Sequence, residues 1–146
     1  MKPQIQCAPR APRQLLRPGI VLATVLGFAV ASQTAGAGGD TSTDRDGAIT
    51  ENGRVVAVHD GDTFRMARDG GGELRVNLAC ADAPESGEPG AEYARAALSS
   101  QLLGNSVRVR IVGWDRGHAV GQVYRDGIRV GELMIRKGAA VRAAGS

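Results

Sequence analysis

Two cysteines, 3% aromatic residues and no apolar run longer than about a dozen residues set the first limits on this 146-residue chain. Cys7 lies in the N-terminal stretch, so Cys80 stands alone in the remainder. A disulfide-stapled scaffold is therefore not expected, Cys80 reads as an inert buried thiol, and no Cys/His spacing suits zinc. Aromatics after residue 40 reduce to Phe64, Tyr93, Trp114 and Tyr124. Base stacking as the main mode of binding is poorly supplied, with Trp114 the available side chain. The longest apolar run, residues 20–31, falls short of the roughly 20 residues that span a bilayer, which argues against stable membrane insertion.

Acidic residues are absent before residue 38, where Lys2, Arg10, Arg13 and Arg17 precede the apolar run. A small-residue stretch follows, with A-x-A sites at Ala29 to Ala31 and Ala35 to Ala37. Basic, apolar and small-residue regions in that order build an export signal, cut most readily after Ala37, so the product is expected to be periplasmic or secreted. Beyond it, fourteen basic residues face fifteen acidic ones, a net charge of −1 against +3 for the whole chain. That balance gives little support to a domain that coats nucleic acid through charge alone. A local basic patch stays open, because Arg108, Arg110, Arg125, Arg129, Arg136, Lys137 and Arg142 crowd the second half.

Residues 38–53, rich in Gly, Thr, Ser and Asp, read as a disordered linker. The fold is expected over 54–142, with 143–146 as a tail. Strands are predicted at 55–59 and 63–68, then at 74–78, where Leu74, Val76 and Leu78 alternate with polar neighbours. Pro89 and Gly104 bracket a helix whose stripe is Tyr93, Ala94, Ala97, Leu98 and Leu102. Two more strands, at 107–111 and 120–125, precede a short helix from Arg129 to about Gly138. The reading is an α+β, mainly β fold: a five-stranded OB-type Greek-key barrel with one helix inserted after the third strand and another after the fifth. A monomer is expected.

Two acidic clusters stand out, Asp60-Gly61-Asp62-Thr63 and Asp82-Ala83-Pro84-Glu85. A meander of strands brings such connections together, and Asp62, Asp82 and Glu85 with a loop carbonyl would make a hard-oxygen site suited to Ca2+. Each motif taken singly also reads as an ordinary turn or helix lead-in.

In order, the chain carries Val-x-Asp-Gly-Asp-Thr, Leu-Arg-Val-x-Leu-Ala-x-x-Asp-Ala-Pro-Glu, Tyr-Ala-Arg-Ala-Ala-Leu, Leu-x-Gly-x-x-Val and Val-Gly-x-Val-Tyr-x-Asp-Gly. This series resembles the staphylococcal nuclease (thermonuclease) family over residues 54–142. The resemblance implies an OB barrel and calcium-dependent phosphodiester hydrolysis of DNA and RNA. It implies Asp62, Asp82 and the Ala83 carbonyl as calcium ligands, and Glu85 as the carboxylate that positions or deprotonates the attacking water. Asp60 and Thr63 become supports behind them.

Two departures weaken the implied activity. Asn77 stands where the family's strand carries an arginine, and the family's Asp-Arg-Tyr-Gly-Arg segment is here the shorter Asp115-Arg116-Gly117-His118. Neither asparagine nor neutral histidine can fork onto phosphate oxygens as charge builds. Arg75 and Arg116 are the candidates to supply the missing charge, and His118 a candidate general acid. Cys80 and Ala81 also replace the usual Gly and Ile. Three readings remain open: a nuclease of weak or lost activity, an active one using substitute arginines, and a non-enzymatic OB module binding oligonucleotide, oligosaccharide or protein.

Overall fold

The computed structural model describes residues 42–43 and 47–143. The export signal expected at 1–37 and most of the tail lie outside the described residues. Among those that are described, no helix is long and apolar enough to cross a membrane.

The elements run β1 (Ser42–Thr43), β2 (Ile49–Val58), β3 (Thr63–Arg68), β4 (Glu73–Leu78), β5 (Ala81–Asp82) and α1 (Ala91–Leu102). They continue with β6 (Ser106–Asp115), β7 (His118–Arg125), β8 (Ile128–Arg129), α2 (Val130–Arg136) and β9 (Val141–Arg142). Five long strands close on themselves in the order β2, β3, β4, β7, β6 and back to β2, with β4 and β7 parallel and the other pairs antiparallel. This is the OB-type barrel that the strand order predicts, with α1 leaving after the meander and α2 after β7 and β8.

Alternation along the strands decides the interior. Phe64 and Met66 from β3, Val76 from β4, Val109 from β6 and Val123 from β7 are almost wholly buried, and α1 closes the barrel with Ala91, Ala94, Leu98 and Leu102. That spacing of three and four places one helix face inward. Tyr93, expected in the apolar stripe, is instead 56% exposed, one step round the helix from Ala94. Its hydroxyl donates to the Lys137 carbonyl at 3.0 Å and ties α1 to the end of α2. Register shifts in β2 between Val55 and Ala57, and in β6 between Ile111 and Gly113, bend the two longest strands around the core.

Two local readings of the sequence need correction. The stretch expected as linker up to residue 53 ends in strand: β2 begins at Ile49, and Thr50, Glu51 and Gly53 are buried. Pairing of Thr50 through Arg54 with β6 supplies backbone partners that outweigh the polar composition. Buried Glu51 also meets the Arg68 guanidinium at 3.8 Å. In the full chain Cys80, expected as a lone thiol once the N-terminal stretch is removed, is disulfide-bonded.

Candidate functional site

The backbone that carries Asp60 and Asp62 is pinned before any side chain matters. The N–H groups of His59 and Asp60 both donate to the Thr63 carbonyl, at 2.9 and 3.2 Å, which makes the β2–β3 connection tight. Leu78 N–H donates to the Asp62 carbonyl at 2.8 Å, extending the β3–β4 ladder one residue past Thr63. Gly61 fits this connection because nothing larger would. A Cβ there would lie 2.4 Å from the Ala94 Cβ of α1 and 2.7 Å from the Ala83 Cβ. The middle glycine of Asp60-Gly61-Asp62 therefore answers a packing demand rather than a turn, a role that composition alone did not reveal.

Both oxygens of the Asp62 carboxylate are engaged. Oδ2 accepts from the Ala83 N–H at 3.3 Å, and Oδ1 lies 3.0 Å from the Thr63 hydroxyl. Thr63 Oγ1 in turn lies 3.2 Å from Asn77 Oδ1, across the Thr63–Asn77 pair of β3 and β4. Partial burial pushes the Asp62 carboxyl above the usual carboxylate range; the Ala83 and Thr63 hydrogen bonds pull it back, and the charges of Asp82 and Asp60 add to the rise. The three aspartates named from the sequence are thus electrostatic neighbours.

Asp82 itself is exposed on β5, which pairs with β9 through Ala81–Arg142 and Asp82–Val141. Glu85 follows three residues later. It is exposed on the loop into α1, its N–H donating to Glu88 Oε2 at 2.8 Å. Among the described residues, no group of three or more His, Cys, Asp or Glu side chains is gathered closely enough to hold a metal ion.

The cationic candidates sit on the outer face of the barrel. Arg75 pairs across the strands with Arg65 and shares the outward face of β4 with Asn77, displaced by two residues or roughly 7 Å. Arg65 is paired with Glu73 at 3.3 Å, whereas Arg75 makes no ion pair or hydrogen bond among the described residues. Val76 pairs with Ala119 in the parallel β4–β7 ladder, so Arg75 and His118 stand one step further along the two strands, both on the outward side.

Asp115 pairs with His118, leaving Arg116 and Gly117 as a two-residue turn with φ of 48° and 83°. Positive φ at both positions is what a hairpin of that length demands. Arg116 is exposed and spent as a left-handed turn residue, which explains how the shortened segment folds. A second turn of the same build follows β7, at Asp126 (50°) and Gly127 (78°).

The fold is thus an OB-type barrel, with Asp60 and Asp82 as electrostatic neighbours of Asp62 at the start of β3. The comparisons place the relationship more closely. Residues 75–145 match the family described as staphylococcal nuclease homologue. That stretch contains Asn77, Asp82, Glu85 and His118 and starts after Asp62. The chain is also 42% identical over 69 residues to a probable staphylococcal-like nuclease, CAN1, of Oryza sativa subsp. japonica; the alignment covers 47% of this chain and 21% of that protein. Homology to the staphylococcal nuclease family is supported over about half of the chain, and the chain spans about a fifth of that relative.

Proposed function

We propose that this is an exported nuclease-family domain whose calcium-dependent hydrolysis of DNA or RNA phosphodiesters is weak or lost. The observation that carries the reading is the Asn77 amide, turned onto the Thr63 hydroxyl beside Asp62, where the family resemblance calls for a guanidinium. The donor set fits a hard cation in part. Asp62 and Asp82 are mutually repelling carboxylates that a cation would relieve, and the Ala83 N–H already ties the second acidic segment to Asp62. Bound there, Ca2+ would polarise a phosphate oxygen and a water.

The remaining steps fall to the chain's own side chains. Glu85, on the loop that follows Asp82, would accept the proton of the attacking water. Asp60 and Thr63 would hold Asp62 in place. Asn77 offers an uncharged amide to the phosphate, and His118 a ring that carries charge only when protonated. By analogy with other phosphoryl-transfer arginines, each lost guanidinium costs on the order of 10³ to 10⁵ in rate. Arg75, without a partner and beside His118, is the best placed to compensate. Arg116 is held off by its turn.

Purified protein incubated with DNA in calcium, and separately in chelator, tests the reading. Cleavage far below that of an intact family member is expected. Robust cleavage abolished by Glu85→Ala would overturn it, and loss on Arg75→Ala would then assign the substitute cation. The alternative, a non-enzymatic OB binding module, would show binding that survives Asp62→Ala and needs no calcium.

A further inference from the structure

The basic residues of the second half separate by what they touch. Arg125 is committed to Asp126 at 3.4 Å and to the Gln101 carbonyl, and Arg142 to Glu132 at 3.1 Å. Arg108 and Arg129 instead converge on one ring: their guanidinium carbons lie 5.4 and 5.9 Å from the centre of Tyr124. Cross-strand pairing builds this cluster, since Arg108 pairs with Tyr124 and Tyr124 with Arg129, with Asn52 of β2 beyond Arg108. The Tyr124 hydroxyl donates to Gln122 Oε1 at 3.2 Å, and an Arg129 Nη2 reaches it at 3.5 Å. Neither Arg108 nor Arg129 has a carboxylate partner among the described residues.

Beside the row opens a shallow cleft of about 420 Å³, lined by Asn52, Asp69, Ser106, Arg108, Tyr124 and Asp126. Two guanidinium groups held near one ring are already partly ordered, which lowers the entropic cost of meeting phosphate oxygens. The cleft supplies a different chemistry. Its hydroxyl and amide donors and its two carboxylates match the mixed edges of a nucleobase, whereas those carboxylates would repel a uniform polyanion. Tyr124 lies four residues along β7 from Val120, the partner of Asn77, a separation of about 13 Å. The cluster is therefore distinct from the aspartate site.

We propose that the Arg108–Tyr124–Arg129 row and its cleft bind a single strand of nucleic acid without divalent metal, the guanidiniums on successive phosphates and a base in the cleft. This deepens the nucleic-acid reading of the domain but does not depend on catalysis. The test is fluorescence anisotropy of a short labelled single-stranded oligonucleotide, titrated with the full chain in chelator over a range of salt.

Arg108→Ala/Arg129→Ala is expected to weaken binding tenfold or more (~10-fold per 1.4 kcal/mol). It should also lower the slope of log K against log salt by about 1.4, for two phosphate contacts on a single strand. Arg108→Lys/Arg129→Lys should restore the slope but not the full affinity. Arg108→Glu, at an exposed strand position, is a second probe should the double variant fold poorly. Unchanged affinity and slope in the alanine and glutamate variants overturns the proposal, as does equal binding of a sulfated polysaccharide or of anionic vesicles. Robust calcium-dependent cleavage together with binding that depends on Arg108 and Arg129 counts against the reading of weak or lost hydrolysis alone. Weak or absent cleavage with binding indifferent to Arg108 and Arg129 counts against this proposal alone.

Discussion

Thr63 and Asn77 meet across β3 and β4 at 3.2 Å, and the same Thr63 hydroxyl lies 3.0 Å from the Asp62 carboxylate. The Thr63 hydroxyl, with its single proton, thus lies between two acceptor oxygens, the Asp62 carboxylate and Asn77 Oδ1, and the charged one is the stronger acceptor. Thr63→Val removes both bonds from a buried position. It is expected to cost about 1–3 kcal/mol in denaturant unfolding, and to move the Asp62 titration further upward by NMR, because one of the two interactions that lower it is gone.

Asp62 also sets a pH dependence. Its folded-state pKa lies above the unfolded value, so the folded protein binds the extra proton, and stability falls as pH rises through the raised pKa. Asp62→Asn keeps an acceptor for Ala83 N–H and loses the charge. In chelator, its thermal midpoint should exceed that of the wild type at neutral pH. The gap should close as pH falls toward the ordinary carboxylate value of ~4. Added calcium should narrow the gap from the other side by stabilising only the wild type.

Gly61 supplies a packing prediction. A methyl group pressed between Ala83 and Ala94 forces the β2–β3 connection outward. Gly61→Ala should destabilise the protein by about 1–3 kcal/mol by denaturant unfolding. It should also change the Asp62 chemical shift and titration, since the connection carries that carboxylate.

Cys80 lies at φ 66°, in the left-handed region that glycine tolerates best, at the position where the family resemblance expects glycine. Cys80→Gly and Cys80→Ala both remove the Cys80 sulfur, and only the first relieves the backbone. The glycine variant should be the more stable by about 1–2 kcal/mol in urea unfolding. Equal stability would mean that the backbone relaxes without strain.

Much of the barrel was legible because its strands alternate: Leu74, Val76 and Leu78, and Val107, Val109 and Ile111, point inward as their period requires. The start of β2 was not, since Thr50, Glu51 and Asn52 carry no apolar pattern and become strand only through β6. The two-residue pair of β5 and β9 is too short for any periodicity, yet it places Asp82. Of the site, the nearness of Asp60, Asp62 and Asp82 followed from a meander bringing loops together. The bond from the Glu85 N–H to Glu88 did not, because a loop's course is set by contacts that carry no sequence period. The Arg108–Tyr124–Arg129 row left only a trace in the sequence, a crowd of arginines whose partners depend on strand register.

We propose that the scaffold can support the reaction and that the guanidinium groups absent at Asn77 and His118 limit its rate. The most direct measurement compares calcium-dependent DNA cleavage by the wild type with that of Asn77→Arg/His118→Arg, each with a chelator control. The account predicts a gain of at least 10²-fold in the double variant, a fraction of what such arginines supply elsewhere, lost on adding chelator. A wild type that already cleaves efficiently, or a double variant with no gain although it folds and binds calcium, would contradict it.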